Sequence, residues 1–172
     1  MKRKFIFIFC LCVLGWASFR CGYRLAGSGR QVPPHIHTIV IKNFENKTSR
    51  YQAEQFVTFA VRDEFIRRSR LKLVDRMSQG DSVLEGEIIR FDVRPLSYSG
   101  SALANQYRLS ITLNVRFIDL KTNEIIFENQ RLSFSDSYEI ESGDFFTQET
   151  EALARISKKF AESIVSTILE NF

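Results

Sequence analysis

The fold is decided by residues 107–117, Tyr-Arg-Leu-Ser-Ile-Thr-Leu-Asn-Val-Arg-Phe, in which apolar and polar side chains alternate without interruption. Neighbouring side chains of a β-strand point to opposite faces, so this alternation places all the apolar side chains on one side. The pattern predicts an antiparallel strand with one face in the core. The opposite face can meet water or a partner, and it carries Arg108, Ser110, Thr112, Asn114 and Arg116.

Two further strands are predicted, one on each side of this segment. Val83–Val93 precedes it, and the phase of its apolar residues changes between Ile88 and Ile89. This change predicts a β-bulge or a strand that is covered on different faces along its length. A turn over residues 119–123 leads into Ile125–Phe134, the predicted partner strand. The three strands are therefore expected to form a meander, in which a turn joins each strand to the next.

Helical periodicity is found before and after the meander. Before it, Ser49 and Gln52 fit a capping box. The apolar residues that follow recur at helical spacings and predict a broad buried face. These residues are Ala53, Phe56, Val57, Ala60, Val61 and Phe65. After the meander, a long amphipathic helix is predicted from about Asp144 to the end of the chain.

The predicted fold class is α+β. Ile39–Ile41 adds a short buried strand before the first helix, and Leu71–Val74 is predicted to be a further short strand after it. The main elements follow the order β-α-β-β-β-α. Two helices can cover one face of such a sheet, which predicts a two-layer sandwich of a four-stranded antiparallel or mixed sheet with two helices packed on one face. Residues 38–172 are predicted to form this single domain, because their number is usual for one hydrophobic core.

The first 20 residues are predicted to be a signal peptide. Three basic residues at positions 2–4 precede an apolar run from Phe5 to Ala17. That run is too short to cross a bilayer core, which needs roughly 20 helical residues. The whole chain has 24 basic and 20 acidic residues. Residues 1–20 hold four of the basic residues and no acidic one, so the remainder is neutral, which weakens any case for nucleic-acid binding made from a basic pI.

The three cysteines are Cys10, Cys12 and Cys21, so the domain has none for a disulfide scaffold or a cysteine-ligated metal site. Two cleavage sites remain open. Small residues at positions 15 and 17 suit an ordinary signal peptidase. Alternatively, Cys21 is the acylated first residue of a bacterial lipoprotein, although Arg20 stands where such proteins normally have a small residue. We favour lipid attachment at Cys21, followed by a flexible tether up to residue 37.

A search for catalytic chemistry returns no convincing set, so the chain is predicted not to be an enzyme and to use no cofactor. The only histidines are His35 and His37, and no third histidine or cysteine lies near them to complete a metal site. Gly27-Ser28-Gly29 precedes no strand-to-helix turn, so it is not a phosphate-binding loop. Six basic residues lie between Arg62 and Arg76, and a solvated helix end and an anion site are both open readings of this cluster.

Seven short motifs follow one another along almost the whole chain. They are Cys21–Leu25 (CGYRL), Ile39–Thr48 (IVIKNFENKT), Phe65–Arg68 (FIRR), Val83–Gly86 (VLEG), Tyr107–Leu109 (YRL), Val115–Thr122 (VRFIDLKT) and Ile168–Phe172 (ILENF). In this order they resemble the LptE-type lipopolysaccharide (LPS)-assembly lipoproteins. The resemblance implies a non-enzymatic protein on the periplasmic face of a Gram-negative outer membrane, with its lipid anchor in the inner leaflet.

Members of that family plug the β-barrel of the LPS translocon LptD, help it assemble and bind LPS, so the resemblance implies the same partners here. Arginine suits the lipid A phosphates because its guanidinium group makes bidentate contacts. The candidate LPS-binding residues are Arg94, Arg108, Arg116 and Arg131. The alternative is another periplasmic assembly lipoprotein, such as an activator of peptidoglycan synthases or a component of curli secretion. Export argues against a nucleic-acid partner.

Replacement of the proposed lipid-attachment residue tests the anchor. Cys21→Ala is expected to abolish acylation and membrane retention, because the acyl chains need the thiol, and globomycin is expected to block processing of the unaltered chain. Fatty-acid labelling and membrane fractionation measure both effects. Cys12→Ala, a change in the predicted leader, is the matched control and is expected to leave labelling intact. Equal fractionation of all three chains, with no effect of globomycin, would show that Cys21 carries no lipid.

Overall fold

The computed structural model describes residues 33–98, 104–140 and 145–169. The predicted signal peptide, Cys21 and most of the predicted tether lie outside the described residues. In chain order the elements are β1 (Thr38–Ile41), β2 (Glu45–Asn46), α1 (Ala53–Arg68), β3 (Lys72–Leu73), a 3-10 turn (Met77–Gln79), β4 (Ser82–Tyr98), β5 (Ala104–Asp119), β6 (Ile125–Glu139) and α2 (Phe145–Leu169).

The strands form one mixed sheet in the order β3-β1-β4-β5-β6, with β2 also paired to β4. β1 runs parallel to β3 and β4, whereas β4, β5 and β6 form the predicted antiparallel meander. The predicted α+β class is confirmed, but the sheet has six strands instead of four. The difference arises from β2 and β3, which have two residues each. β2 is too brief to leave an alternation in the sequence, whereas β3 lies within Leu71–Val74, which the sequence predicts to be a short strand.

The hydrophobic core lies between one face of the sheet and the two helices. All five inward side chains of β5 from Leu109 to Phe117 are fully buried. They pack against the buried apolar residues of the two helices. In α1 these are Ala53, Val57, Val61 and Phe65, and in α2 they include Leu153, Ile156, Phe160, Ile164 and Ile168. Each large apolar side chain buried in this way contributes roughly 1.5–3 kcal/mol to folding. None of the described helices is long and apolar enough to cross a membrane.

A β-bulge at Ile89 shifts the phase of β4, as the sequence predicts. Ile88 pairs with Leu113 and Arg90 pairs with Thr112, so Ile89 is the extra residue between two neighbouring pairs. Before the bulge, odd-numbered residues such as Glu85 lie on the face away from the helices. After it, even-numbered residues lie there instead. The bulge therefore lets both halves of β4 keep their apolar side chains in the core.

The loop before α1 is organised by Asn46 and not by the predicted capping box. The side-chain oxygen of Asn46 accepts hydrogen bonds from the backbone N–H and the hydroxyl of Thr48, at 3.0 and 2.7 Å. Its amide nitrogen donates to the carbonyl oxygen of Arg50 and to a carboxylate oxygen of Glu54. The helix begins only at Ala53, after Gln52 in the left-handed conformation with φ 67°, and no side chain caps it.

Phe44 joins the two layers at the break between β1 and β2. Its backbone N–H donates to the hydroxyl of Thr58 in α1, a buried hydrogen bond of 3.0 Å. Its ring lies edge-on to Phe160 of α2, with 5.8 Å between the ring centroids. The ring also occupies the space in front of Gly86, where a methyl group would overlap it and lie 2.8 Å from the carbonyl oxygen of Asn114. Residue 86 must therefore be glycine for the layers to close.

A methyl group at position 86 tests this contact. Gly86→Ala is expected to lower the free energy of unfolding by about 1–3 kcal/mol, because the added carbon displaces the Phe44 ring or the neighbouring strand. Urea-induced unfolding followed by circular dichroism measures the change. Ser133→Ala, on the exposed face of β6, is the control and is expected to change stability by less than about 0.5 kcal/mol. If the Gly86→Ala variant unfolds at the same urea concentration as the unaltered chain, the close contact between Gly86 and the Phe44 ring does not exist.

Candidate functional site: an arginine surface on the exposed sheet face

The face of the sheet that points away from the helices is polar from Gln106 to Arg116 of β5. On β5 it presents Arg108, Ser110, Thr112, Asn114 and Arg116, which are exposed or half-buried as the alternation predicts. Serines 133, 135 and 137 of β6 lie beside them and are exposed. Within the described residues, this face is the broadest continuous polar surface that the strands provide.

Three arginines gather on this face towards the β4–β5 connection. Arg94 of β4 lies directly opposite Arg108 of β5 in the sheet register. Arg90 lies on the same face of β4, and Asp92 stands between the two β4 arginines with one carboxylate oxygen 3.9 Å from each. We call Arg90, Arg94 and Arg108 the arginine triad. A surface hollow of about 360 Å³ is lined by Asp92, Arg94, Pro95, Leu96, Arg108 and Ser110.

The electrostatics of the triad favour an anionic ligand. Like charges directly opposite each other on neighbouring strands are destabilising, and Arg94 and Arg108 form such a pair. The single carboxylate of Asp92 balances only one of the three positive charges. The side chains of Arg90 and Arg94 are 67% and 74% exposed, so both guanidinium groups are free to reach a ligand. A phosphate group placed between these strands would relieve the repulsion and accept bidentate hydrogen bonds.

Aromatic packing on the inner side holds this end of the sheet in place. Tyr107 of β5 and Tyr138 of β6 stack with their ring centroids 5.8 Å apart, and Phe145 at the start of α2 lies edge-on to both rings. Burial raises the pKa of Tyr138 to about 12, and the nearby carboxylate of Glu149 adds to the shift. The strand segment that carries Arg108 is therefore backed by a fixed aromatic layer.

The other two arginines predicted from the sequence lie elsewhere on the sheet. Arg116 forms a 2.7 Å ion pair with Glu85, which also accepts a hydrogen bond from Lys42 at 2.8 Å. The hollow around them, of about 310 Å³, is also lined by Glu45, Glu87 and Glu128. Acidic side chains therefore outnumber basic ones around Arg116, and the charge of the polar face changes sign along its length.

Arg131 stands on an irregular stretch of β6. The pairing with β5 shifts between Leu113 and Val115, and Arg131 has a φ of 59° there. Its backbone N–H donates to the side-chain oxygen of Asn114 at 3.0 Å, and its side chain is exposed. The structure therefore brings together Arg94 and Arg108 but leaves Arg116 and Arg131 outside their hollow.

Sequence reasoning missed Arg90, the third member of the triad. In an unbroken strand, Arg90 would lie on the opposite face from Glu85 and Glu87. The bulge at Ile89 brings it to the same face, where it lies one position before Asp92 along that face. The signal in the sequence is the change of apolar phase next to Ile88, because a bulge there also moves the charged residues beyond it to the other face.

The two histidines contribute to structure near the start of β1. Nε2 of His35 lies 2.9 Å from a carboxylate oxygen of Asp119, which is 2% exposed. The other oxygen of Asp119 accepts the backbone N–H of Lys121 at 2.8 Å. Across the described parts of the chain, no group of three histidine, cysteine or acidic residues has an arrangement that could hold a metal ion.

Comparison with known protein families finds one family model that matches most of the chain. The model of the LptE lipopolysaccharide-assembly family matches residues 36–168, which include every described core residue. The chain belongs to the LptE family. A search of curated proteins finds no significant match. Assignment to the LptE family shows a lipopolysaccharide-assembly protein in general terms.

Solved structures of bacterial proteins share the fold of this LptE-family chain. A Xanthomonas campestris protein of the DUF330 family has 12% sequence identity, with a TM-score of 0.57 over 82% of this chain and 91% of its own. Lipoprotein B from Nitrosomonas europaea has 17% identity, with a TM-score of 0.52 over 87% and 96%. PelC from Paraburkholderia phytofirmans, solved as a dodecamer, has 10% identity and a TM-score of 0.51 over 78% and 89%. These likenesses concern the fold alone.

Removal of one charge from the triad is expected to stabilise the protein. Arg108→Ser is expected to raise the free energy of unfolding by about 0.2–1 kcal/mol at low salt, because it removes the repulsion from Arg94. Urea unfolding at low and high ionic strength measures the effect, which added salt is expected to reduce.

Arg116→Ser is the matched control for this substitution. It makes the same change on the same face of the same strand, but it removes an ion pair with Glu85. It is expected to lower the free energy of unfolding by up to about 1 kcal/mol. If the two variants change the free energy of unfolding by the same amount in the same direction, Arg94 and Arg108 do not repel each other measurably.

Proposed function

We propose that this chain is a lipid-anchored outer-membrane protein that plugs an LptD-type barrel, helps it assemble and binds LPS on its way to the cell surface. Residues 1–20 act as the signal peptide, Cys21 carries the lipid, residues 21–37 form the tether and residues 38–172 form the domain. The last residues of the tether are held by the domain, because Ile36 is buried in the core and the His37 N–H is bound by Asp81. The domain faces the periplasm and works by binding, with no catalytic step. Membership of the LptE family supports this role, and the arginine triad is the observation that carries the LPS-binding part.

The triad suits the phosphates of lipid A on three counts. Arg94 and Arg108 face each other across neighbouring strands, so one phosphate between them can accept hydrogen bonds from both. Arg90 adds a third positive charge along the same strand. The serines of β6 extend the polar face beside the triad and offer hydroxyl groups to sugars or further phosphate oxygens. The four candidates from the sequence are thereby reduced to a proposed site of Arg94 and Arg108, extended by Arg90.

The rest of the polar face suits a barrel interior. The lumen of an outer-membrane barrel is polar, so a plug needs a surface that exchanges hydrogen bonds with water for hydrogen bonds with the wall. β5 and β6 provide this surface as a row of hydroxyl, amide and charged groups, with the apolar residues held on the other side. The ion pair of Arg116 with Glu85 and the surrounding carboxylates make one half of the face acidic, which favours a basic stretch of wall there.

Paired charge reversals test the LPS site. Arg94→Glu combined with Arg108→Glu is expected to lower the affinity for LPS at least about ten-fold, because two charge-assisted contacts are lost. Arg116→Glu combined with Arg131→Glu makes the same charge change on the same sheet outside the triad, and it is expected to leave the affinity within a factor of about two. Titration of purified LPS by isothermal calorimetry measures both. A loss confined to the second pair would place LPS binding away from the triad.

Co-purification tests the barrel partner separately from LPS. The unaltered chain and both paired variants are expected to co-purify with an LptD-type barrel from detergent-solubilised outer membranes, because many polar contacts share the interface. Depletion of the chain is expected to lower surface LPS and correctly oxidised LptD. Failure to co-purify, with normal LPS and LptD after depletion, would favour a different assembly role such as peptidoglycan-synthase activation or curli secretion.

A further inference from the structure

The chain enters the folded domain beside the C-terminal end of α1. Thr38, the first residue of β1, pairs with Lys72 of β3. The backbone N–H of Lys72 also donates to the carbonyl oxygen of His37 at 2.9 Å. Since β3 begins four residues after Arg68 ends α1, the entry point and the end of the helix are neighbours. The segment that leads back to Cys21 therefore leaves the domain at this end.

Asp81 holds the entry point in a fixed place. One of its carboxylate oxygens accepts the backbone N–H groups of His37 and Thr38, both at 2.9 Å, and the hydroxyl of Thr38 at 2.8 Å. The hydrogen bond from the His37 N–H and those from Thr38 keep the pKa of Asp81 below its usual value. The carboxylate is therefore ionised at neutral pH, and it holds the backbone of His37 and Thr38 in place at the start of β1.

The basic cluster between Arg62 and Arg76 separates into two groups in the structure. Arg62 donates to the carbonyl oxygen of Ile41 at 2.9 Å, and Arg67 and Arg68 form ion pairs with acidic residues of their own helix. These three are part of the internal structure. The remaining three are Arg70, Lys72 and Arg76.

Arg70, Lys72 and Arg76 are exposed and make no ion pair within the described chain. Asp75 is the one acidic residue between positions 69 and 80, so this segment has a net charge of +2. Met77 follows Arg76 and is 43% exposed, and Ile66 in the last turn of α1 is 65% exposed. Exposed apolar side chains next to unpaired cations are typical of surfaces that lie on anionic membranes. We call Arg70, Lys72, Arg76 and Met77 the tether-end surface.

We propose that the tether-end surface docks on anionic phospholipid headgroups of the leaflet that holds the lipid anchor. The proposal rests on the proposed anchor at Cys21, which stands 12 residues before Pro33, the first described residue. Twelve residues span at most roughly 40 Å, so the tether keeps this end of the domain near the membrane. Each cation close to an anionic surface strengthens membrane partitioning about five-fold.

Docking at this end orients the whole domain. β4 starts at Ser82 beside the tether-end surface and runs away from it, and Arg94 is 12 residues further along the strand. At about 3.3 Å per residue, Arg94 lies roughly 40 Å and Arg90 roughly 26 Å from the membrane-facing end. The tether-end surface would then contact phospholipid, while the arginine triad at the other end of β4 stays free to bind LPS phosphates.

Vesicle binding with a matched pair of triple variants tests the docking. The test chain lacks residues 1–20 and carries Cys21→Ser, so that neither the leader nor an acyl chain contributes to binding. It keeps every described core residue, because all of them lie between Ile36 and Ile168. It is expected to bind vesicles of phosphatidylcholine with phosphatidylglycerol, and not vesicles of phosphatidylcholine alone. The triple variant Arg70→Gln, Lys72→Gln, Arg76→Gln is expected to bind the anionic vesicles roughly 100-fold more weakly.

The control triple variant Arg116→Gln, Arg131→Gln, Lys158→Gln removes the same number of charges from exposed positions outside both the tether-end surface and the arginine triad, and it is expected to bind as tightly as the unaltered chain. Circular dichroism and thermal unfolding show that each variant is folded. Equal loss in both triples, unchanged binding in the tether-end triple, or equal binding to both vesicle types would overturn the proposal. LPS titration of the same variants separates the two sites, because loss of LPS binding in the tether-end triple would assign that surface to LPS instead of phospholipid.

Discussion

Burial of one side of β5 under two helices is the constraint on which the rest of the structure depends. β5 is hydrogen-bonded to a strand on each edge, and its inward side chains are fully buried. A slip of the strand by one residue would place Arg108 and Arg116 in the core and five apolar side chains in solvent, which no other contact could offset. The polar face is therefore a consequence of the core. Its arginines stand where they do because their neighbours in sequence are needed on the other side.

The bulge at Ile89 determines which charged residues of β4 lie on the polar face. β4 has to follow β5 for most of its 17 residues, yet its apolar residues change phase half-way. The extra residue Ile89 lets β4 stay paired with β5 while its apolar side chains remain in the core, and it moves Arg90 onto the same face as Arg94. The result is a strand whose first half presents glutamates and whose second half presents arginines. The sign of the charge on the polar face thus changes at the bulge, which separates the proposed LPS site from the acidic half around Arg116.

The same sheet places two chemically different ends far apart. At one end, Asp81 fixes the point where the chain enters the fold, beside exposed cations at the end of α1. At the other end, stacked tyrosines back the strands that carry the triad. A long strand is stiff enough to keep the two ends apart, so one domain can be anchored at one end and bind a ligand at the other. This polarity suits the proposed role of a lipoprotein that is attached to a membrane and hands on an amphipathic lipid.

The sequence alone determined the elements whose patterns repeat. The alternation of 107–117, the phase change next to Ile88 and the helical spacing from Ala53 to Phe65 are each set by burial of one face, so they predict the meander, the bulge and the packing side of α1 correctly. A strand as short as β2 leaves no such repeat, because its pairing depends on what lies beside it. The start of α1 was misjudged for a similar reason, since Asn46 closes that loop through contacts with residues up to eight positions away. Only the tertiary structure decided that Arg94 stands opposite Arg108 while Arg116 joins Glu85, because register between strands brings together residues whose distance in sequence carries no signal.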